Sequence, residues 1–584
     1  MELQEIITDI AELKRAWTKR DGKFKDWYDL LVLTDTLKTE NMETVALNDP
    51  RTFFNMALFL LTAGEVQHRS SIRGETPAEL ELQSKLQRVC QFVWREIDRE
   101  RQHGGSAPFG HDLGFYLLLL GWYSLAAVID EETKILKPVI WSPAEVYPRF
   151  EDGRMSACLH EYKTSVSAAK RKAQQKGWNY DPRTTQGAVL IDDYFFYDEN
   201  GKLQNHVLVD GTDVTGEIYR PPDEFVLLVA PVGGFTDTGS LSRGATWQEY
   251  YGQGILETNR TMIEAMNKWV SMLMQNLRDT IQQKYQEFAV SQKAKPEDMR
   301  RYGTVLHYTP NEGGIKAIET LPPPVETRAI LMDLDKRNQK GGFNDAVYGM
   351  VDKGTAGYAL SALASSSANQ VLNPYMRAKD FIIEQLDRFQ LQAIKKTSKP
   401  FLVKGRVNEE LSPKDIPDDV SMEVSSELAT PKDLMERATI ANMMKSHLDE
   451  ETVLSEVYKI TDTSSIKRRK NLDDFNNHPV TKQLKLISSY EAYAELLAKL
   501  GDRRQAERFK KAAMALELQM GVPPPGSAKP MEAAGAEAAR AAAAPEEKAR
   551  VPAGVSPPEA RAAWTPQELR GMIGRGTLRN MRGE

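Results

Sequence analysis

Cysteine is nearly absent: 584 residues hold 2. Cys90 and Cys158 cannot build a disulfide framework or a four-cysteine zinc site. Two thiols suit a reducing cytosol, where a buried cysteine acts as a small hydrophobe. Long apolar runs are also missing. The most apolar stretch, FYLLLLGWYSLAAVI from Phe115 to Ile129, falls short of the roughly 20 residues that a membrane span needs and reads as a buried helix. The start, MELQEIITDI, has no basic region ahead of an apolar one, so no secretory signal is expected. The phosphate-cradling GxxxxGK[ST] is absent, which counts strongly against a P-loop motor ATPase, and there is no GxSxG elbow. There is no HExxH, since His160-Glu161 is followed by Tyr162-Lys163. Gly252-Gln253-Gly254 lacks the third glycine and the preceding strand of a dinucleotide site and is read as helix packing. The 8 histidines are scattered without metal-ligand spacing.

Net charge is mildly acidic, 76 basic against 82 acidic residues. This argues against broad, nonspecific coating of nucleic acid but is compatible with DNA that passes without being held. With 41% hydrophobic and 27% charged residues, the composition is that of an ordinary globular chain. At roughly 150 residues per domain, its length suggests about four units.

Periodicity divides the chain. The first 130 residues read as helices, among them EIITDIAELKRAW and NDPRTFFNMALFLLT, where Asn48 or Asp49 caps and Pro50 suits the first turn. From about Lys134 the period becomes that of strands. AVLIDDYFFYDENGKLQNHVLVDG carries a hairpin signal at Asn200-Gly201, a pair suited to positive φ in a tight turn. The fold class is therefore α+β, predominantly helical. From Thr246 over forty residues run without proline, with Ile255, Met262, Met266, Trp269, Leu273, Leu277 and Ile281 on one helical stripe. A helix that long would reach about 60 Å and needs partners to cover the stripe. A basic insertion follows (Lys293, Lys295, Arg300, Arg301), then Pro322-Pro323-Pro324 and a shorter helix, ETRAILMDLDKRNQK. The Gly/Ala/Ser-rich stretch from Gly341 to Tyr375 is not expected to hold one rigid conformation throughout, although ALSALASS can be helical. MRAKDFIIEQLDRFQLQAIKK is a helix, KPFLVKGRV a strand, and residues 431–519 are helical. Beyond Gly521, ten of the twenty residues from Met531 to Arg550 are Ala, and a disordered tail is expected.

Catalytic groupings are few. Asp192, Asp193 and Asp198 motivate a metal-dependent nuclease, and Asp345 and Asp352 are a weaker pair of the same kind. Asp-rich turns explain both. The methionines 262, 266, 272 and 274 are adaptable packing. Lys467-Arg468-Arg469-Lys470 is a basic cluster that reads as a solvated face or, alternatively, a nucleic-acid contact. No enzyme, metal or cofactor is expected.

What remains is the order of parts: a long and a shorter helix bracket a small basic insertion, followed by a Gly/Ala/Ser-rich stretch and a helix. That order resembles the tailed-phage portal proteins, the head-to-tail connectors. NDPRTFFNMALFLLT resembles an N-terminal portal motif, and VIWSPAEVYPRFEDG a strand of the P-x-x-x-Y-P type. PVGGFTDTGSLSRGATWQEYYGQGIL resembles the approach to the portal stem, and GTAGYALSALASSSANQVLNPY the tunnel-lining region. The resemblance spans roughly residues 45–400. It implies a ring, usually of twelve subunits, at one capsid vertex of a virion assembled in the host cytoplasm. Double-stranded DNA passes through its channel without sequence specificity. The implied partners are the terminase large subunit, major capsid and scaffolding proteins, and a head-tail adaptor; no membrane is involved. The implied parts are a wing (1–245, with 374–430 returning to it), stem helices (246–288 and 325–342), a clip (289–324), a tunnel loop (343–373), a helical crown (431–520) and the tail (521–584). Lys353, the sole cation between Gly341 and Met376, would approach DNA, with Lys336, Arg337 and Lys340 on the stem. Lys293, Lys295, Arg300 and Arg301 would face terminase. Another virion structural or internal protein is the alternative, ahead of the nuclease.

Overall fold

The computed structural model describes, apart from isolated positions, residues 3–38, 43–70, 76–151, 154–182, 186–233, 251–281, 285–289, 311–318, 326–348, 357–403, 409–426, 441–444, 463–499 and 502–519. It is a mixed helix-and-strand chain, 58% helical, without a closed barrel among the described residues. The chain forms two compact units, residues 1–469 and 470–584.

The first unit begins with α1 (Leu3–Leu31), whose buried face repeats every three or four residues: Ile6, Ile10, Leu13, Trp17, Arg20, Phe24, Trp27 and Leu31. A stripe this long serves two cores. Its first half lies on an antiparallel sheet of β4 (Val146–Glu151), β5 (Arg154–Ser165), β6 (Ala188–Tyr197), β7 (Leu203–Val209) and β8 (Thr212–Asp213), with β9 (Ile218–Tyr219) also beside β7. There Ile6, Ile10 and Leu13 meet Leu159, Tyr194, Phe196 and Leu208. Helix α5 (Val166–Lys176) covers the other face, packing Val166 and Ala169 on Val189, Ile191 and Val207. The second half of α1 enters the main core with α2 (Asp49–Thr62), α3 (Pro77–His103) and α4 (Phe109–Leu120). There the buried Arg20 guanidinium sits against the rings of Trp17, Phe24 and Trp122. Asn200-Gly201 turns β6 into β7 as expected. Gly201 has φ +72°, and Asp198 accepts from the Asn200 and Lys202 amides.

The apolar stretch 115–129 is not one helix. Helix α4 stops at Gly121 (φ +65°), and β2 (Trp122–Ile129) runs on as the centre of a sheet between β3 (Leu136–Ile140) and β10 (Phe225–Pro231). Continuous burial hides the period that separates a buried helix from a buried strand. In the region 343–373, residues 349–356 lie outside the described residues and the ALSALASS stretch is helical. The second half of the region opens helix α8 (Gly357–Lys395), 39 residues with Pro374 inside. Ala364, Ala368, Leu372, Tyr375, Ile382 and Leu386 are buried at helical spacing. Packing on both sides of Pro374 outweighs the hydrogen bond that proline cannot donate.

The chain then closes on itself. Strands β13 (Phe401–Val403) and β14 (Glu409–Leu411) pair, and β15 (Met422–Ser426) pairs with β1 (Val66–Ser70), Val66 opposite Ser426. Ser426 bonds Asp380 of α8. Below that junction His68 Nδ1 lies 2.6 Å from Asp387 Oδ2, and Trp94 Nε1 donates to Oδ1 at 2.7 Å.

Lys379 of α8 is 2% exposed and donates to Leu61 O, in the last turn of α2, at 2.7 Å. Burial pulls its ammonium down to about 8, against the opposing influence of Asp380. The unfolded chain therefore holds more protons than the folded one between pH 8 and 10.5, so this group makes stability rise with pH across that window. The full penalty, roughly 3 kcal/mol, applies below pH 8. Lys379→Met is expected to flatten the pH dependence of the urea midpoint between pH 8 and 10. Above pH 10 the buried Tyr123, raised to about 12, works in the opposite sense.

The second unit contains α10 (Pro479–Lys499) and α11 (Arg503–Gln519), which follow α9 (Thr463–Asn477). They form a helical hairpin that buries Ile487, Ala494, Ala506 and Ala513, with Phe509 against Tyr490 and Tyr493. Of residues 431–450 only 441–444 are described, as helix, and the tail beyond Gln519 lies outside the described residues.

Candidate functional site

Helix α6 (Arg260–Ile281) begins only at Arg260, after a short 3-10 turn at Glu257–Asn259, not at residue 246. It ends before β11 (Tyr285–Ala289), which pairs antiparallel with β12 (Gly313–Ala317). Helix α7 (Glu326–Lys340) then returns. The start of α6 meets the end of α7, where Asn259 Nδ2 donates to Asn338 O at 2.8 Å. Helices α6 and α7 pack on each other, and the β11–β12 pair lies between them in chain order; together they make up an arm with its root at Asn259 and Asn338. The clip cations Lys293, Lys295, Arg300 and Arg301 and the tunnel cation Lys353 lie outside the described residues.

The root of the arm is set by backbone contact. Residues 251–255 are not helical; they thread past the α4–β2 corner. Ile255 N donates to Leu118 O (2.8 Å), Gln253 N to Val232 O (3.1 Å) and Val232 N to Gly121 O (2.7 Å). Trp122 Nε1 reaches Tyr251 O and Tyr375 Oη reaches Gln253 O. A Cβ on Gly121 would overlap the Gln253 backbone, and one on Gly254 would overlap Leu119 O. The GxG of the sequence is thus a close crossing of loop and corner. It is not helix packing.

The apolar stripe loses its cover along α6. Ile263 is 3% exposed, Met266 8%, Trp269 37%, Leu277 51% and Ile281 81%. Met262 and Leu273 are half-buried, and Ile255 is buried in the main core. The exposure continues over Phe288 of the hairpin and Ile330 and Met332 of α7. Exposed apolar side chains this numerous on one element mark an interaction surface.

The other flank of α6 is covered by an extended strap, residues 43–47. Its amides donate to side chains four residues apart on the helix: Leu47 N to Asn267 Oδ1, Val45 N to Ser271 Oγ and Glu43 N to Gln275 Oε1, at 2.9–3.0 Å. Arg278 pairs with Glu43 at 2.7 Å. Two residues of extended chain advance about as far as one helical turn, so the ladder stays in register. Removing the completely buried Ser271 hydroxyl by Ser271→Ala is expected to speed hydrogen exchange at the Val45 amide roughly 3- to 10-fold, the value of one hydrogen bond. An unchanged rate would show that the strap is held elsewhere.

Lys336, Arg337 and Lys340 all stand exposed on α7. Arg337 Nε is 2.8 Å from Asp333 Oδ2 within the same helix, which partly neutralises it. Beside them a cavity of 280 Å³ is lined by Asp49, Phe53, Asn259, Ile263, Asp335 and Asn338. Burial and the neighbouring Asp335 raise the Asp49 carboxyl. This root cavity has no signature in the sequence, because its walls are brought together from residues 49, 259 and 335.

The carboxylates of the nuclease reading do not converge. Asp192 and Asp193 are neighbours on β6, so their side chains take opposite faces of the sheet. Asp192 meets Lys14 of α1, which also pairs with Glu161. Asp193 accepts from Asn205 at 2.6 Å under α5, and burial raises its carboxyl. Asp198 belongs to the hairpin turn. His160 is stacked between Trp141 and Tyr162, and burial lowers it to about 3, so it stays neutral. Among the described residues no three acidic, histidine or cysteine side chains gather as a metal site, and no helix is long and apolar enough to cross a membrane.

No protein-family model matches the sequence, and no curated protein matches it. Solved structures are similar in outline. A chain from the neck of an empty GTA particle is 12% identical, with 74% of this chain and 93% of that chain covered and a TM-score of 0.39. A chain from the virion of a native gene transfer agent particle is 10% identical over the same shares, with a TM-score of 0.37. At this level of similarity neither likeness decides the function.

Proposed function

We propose that this chain is the portal-type subunit of a phage-like particle, a non-enzymatic ring of about twelve copies through which double-stranded DNA is packaged and released. The observation that carries the reading is the arm: α6 is buried at its root, loses cover toward its tip and carries bare apolar side chains into the returning α7. A monomer gains nothing from exposing them, whereas a closed ring covers every copy of such a surface against the next. On this reading the sheet domain, α8 and β15 form the wing, α6 and α7 the stem, β11–β12 the base of the clip and the helices after residue 463 part of the crown. Lys336 and Lys340 face the channel, where a few exposed cations guide DNA without holding it, since each neutralised phosphate adds salt-dependent affinity. Terminase and a head-tail adaptor dock in turn on the clip, and capsid and scaffolding proteins surround the wing.

Electron microscopy with native mass measurement tests it. The expected result is closed rings with a central hole at close to twelve times the 65.8 kDa chain mass. A protein that stays monomeric with and without scaffold would return the assignment to an internal virion protein.

A further inference from the structure

The chain is acidic overall, but α5 is not. Its eleven residues carry Lys170, Arg171, Lys172 and Lys176 and no carboxylate. Val166, Ala169 and Ala173 face the sheet, and at 100° per residue this turns Arg171 and Gln175 straight outward. Lys170 falls on one flank, Lys172 and Lys176 on the other. Lys170, Arg171, Gln174, Gln175 and Lys176 are exposed. Lys172 is held in place: it donates to Tyr162 Oη and lies over the Tyr162 and Trp178 rings. Asp193, half-buried on the sheet face that α5 covers, attracts Lys172 and Lys176. None of the ion pairs among the described residues engages Lys170, Arg171 or Lys176.

Such a helix opposes itself. Lys172 and Lys176 stand four residues apart, a repulsive spacing for like charges; burial lowers the Lys172 ammonium, Asp193 opposes that, and Lys176 adds to the lowering. Surface helices ordinarily carry both signs; here Asp193 offsets Lys172 and Lys176 in part, and no ion pair among the described residues offsets Lys170 or Arg171. We propose that the outward face of α5 docks on the phosphate backbone of double-stranded DNA, as a site separate from the cations of α7 and independent of ring formation. Its four cations occupy about 9 Å of helix axis, a spacing that suits the dense charge of a duplex. Ser167, Gln174 and Gln175 add neutral donors of the kind that bond phosphate oxygens. No group here is placed to read a base edge, so the contact carries no sequence preference.

The test compares the full chain with a Lys170→Gln, Arg171→Gln, Lys176→Gln variant, using fluorescence anisotropy on a labelled 30-base-pair duplex between 50 and 200 mM NaCl. Three phosphate contacts give a slope of log K against log salt of about −2.7, a loss of about 40-fold over that range. The variant is expected to lose that part of the slope while its denaturation midpoint and native mass stay unchanged. An unchanged slope overturns the proposal, as does displacement of the duplex by polyglutamate at equal charge concentration, which would assign the face to an acidic protein. If the triple variant folds poorly, Arg171→Gln alone must reduce the slope by about 0.9. Unaltered native mass separates this result from a failure of the portal reading.

Discussion

Gly121→Ala is expected to destabilise the fold strongly. Gly121 sits at φ +65° and closes the α4–β2 corner against the backbone of Gln253. Alanine there costs about 1–2 kcal/mol for the left-handed conformation. It also forces apart two backbones joined through Val232 and Ile255, adding roughly 1–3 kcal/mol. Gly177→Ala separates the two effects. Gly177 caps α5 at φ +69° with nothing within 4 Å of the added Cβ, so only the conformational cost applies. Urea midpoints should place Gly121→Ala several kcal/mol below wild type, a large part of the stability of a typical domain, and Gly177→Ala about 1–2 kcal/mol below. Equal midpoints for the two variants would mean that the corner yields and that α6 is not rooted by it.

The second large effect concerns assembly. Leu277→Asp together with Ile281→Asp should abolish rings and leave a folded monomer near 65.8 kDa. Both side chains are more than half exposed in the single chain, so the monomer should change by about 0.5 kcal/mol or less. In a ring the same carboxylates would be buried against a neighbour without a partner. Met266→Asp, at the buried root, should show the opposite pattern, with the monomer itself destabilised by about 3 kcal/mol. Rings that survive the double substitution would show that the tip of the arm does not seal one subunit to the next.

The sequence was informative where the period was unambiguous. The β6–β7 hairpin could be placed from Asn200-Gly201 because that pair meets the φ > 0 demand of the turn locally. The amphipathic stripe of α6 was visible from its spacing. The start of α6 was not, because residues 251–255 are shaped by the facing Gly121 corner over a hundred residues earlier. Asp192 and Asp193 looked like a pair in the sequence and are separated by the pleat of a strand. The strap at 43–47 and the root cavity had no local signal at all, since each joins segments that lie more than two hundred residues apart.

The sequence alone determined the helical and strand-rich regions, the scarcity of catalytic groupings and an apolar stripe too long for its own surroundings. Those follow from composition and from periods that each segment carries by itself. Only the tertiary structure decided where the stripe is covered and where it is bare. It also ended α4 at Gly121 and left α5 facing solvent with its cations. Burial is a property of neighbours distant in sequence, and local residue patterns do not encode which neighbours those are.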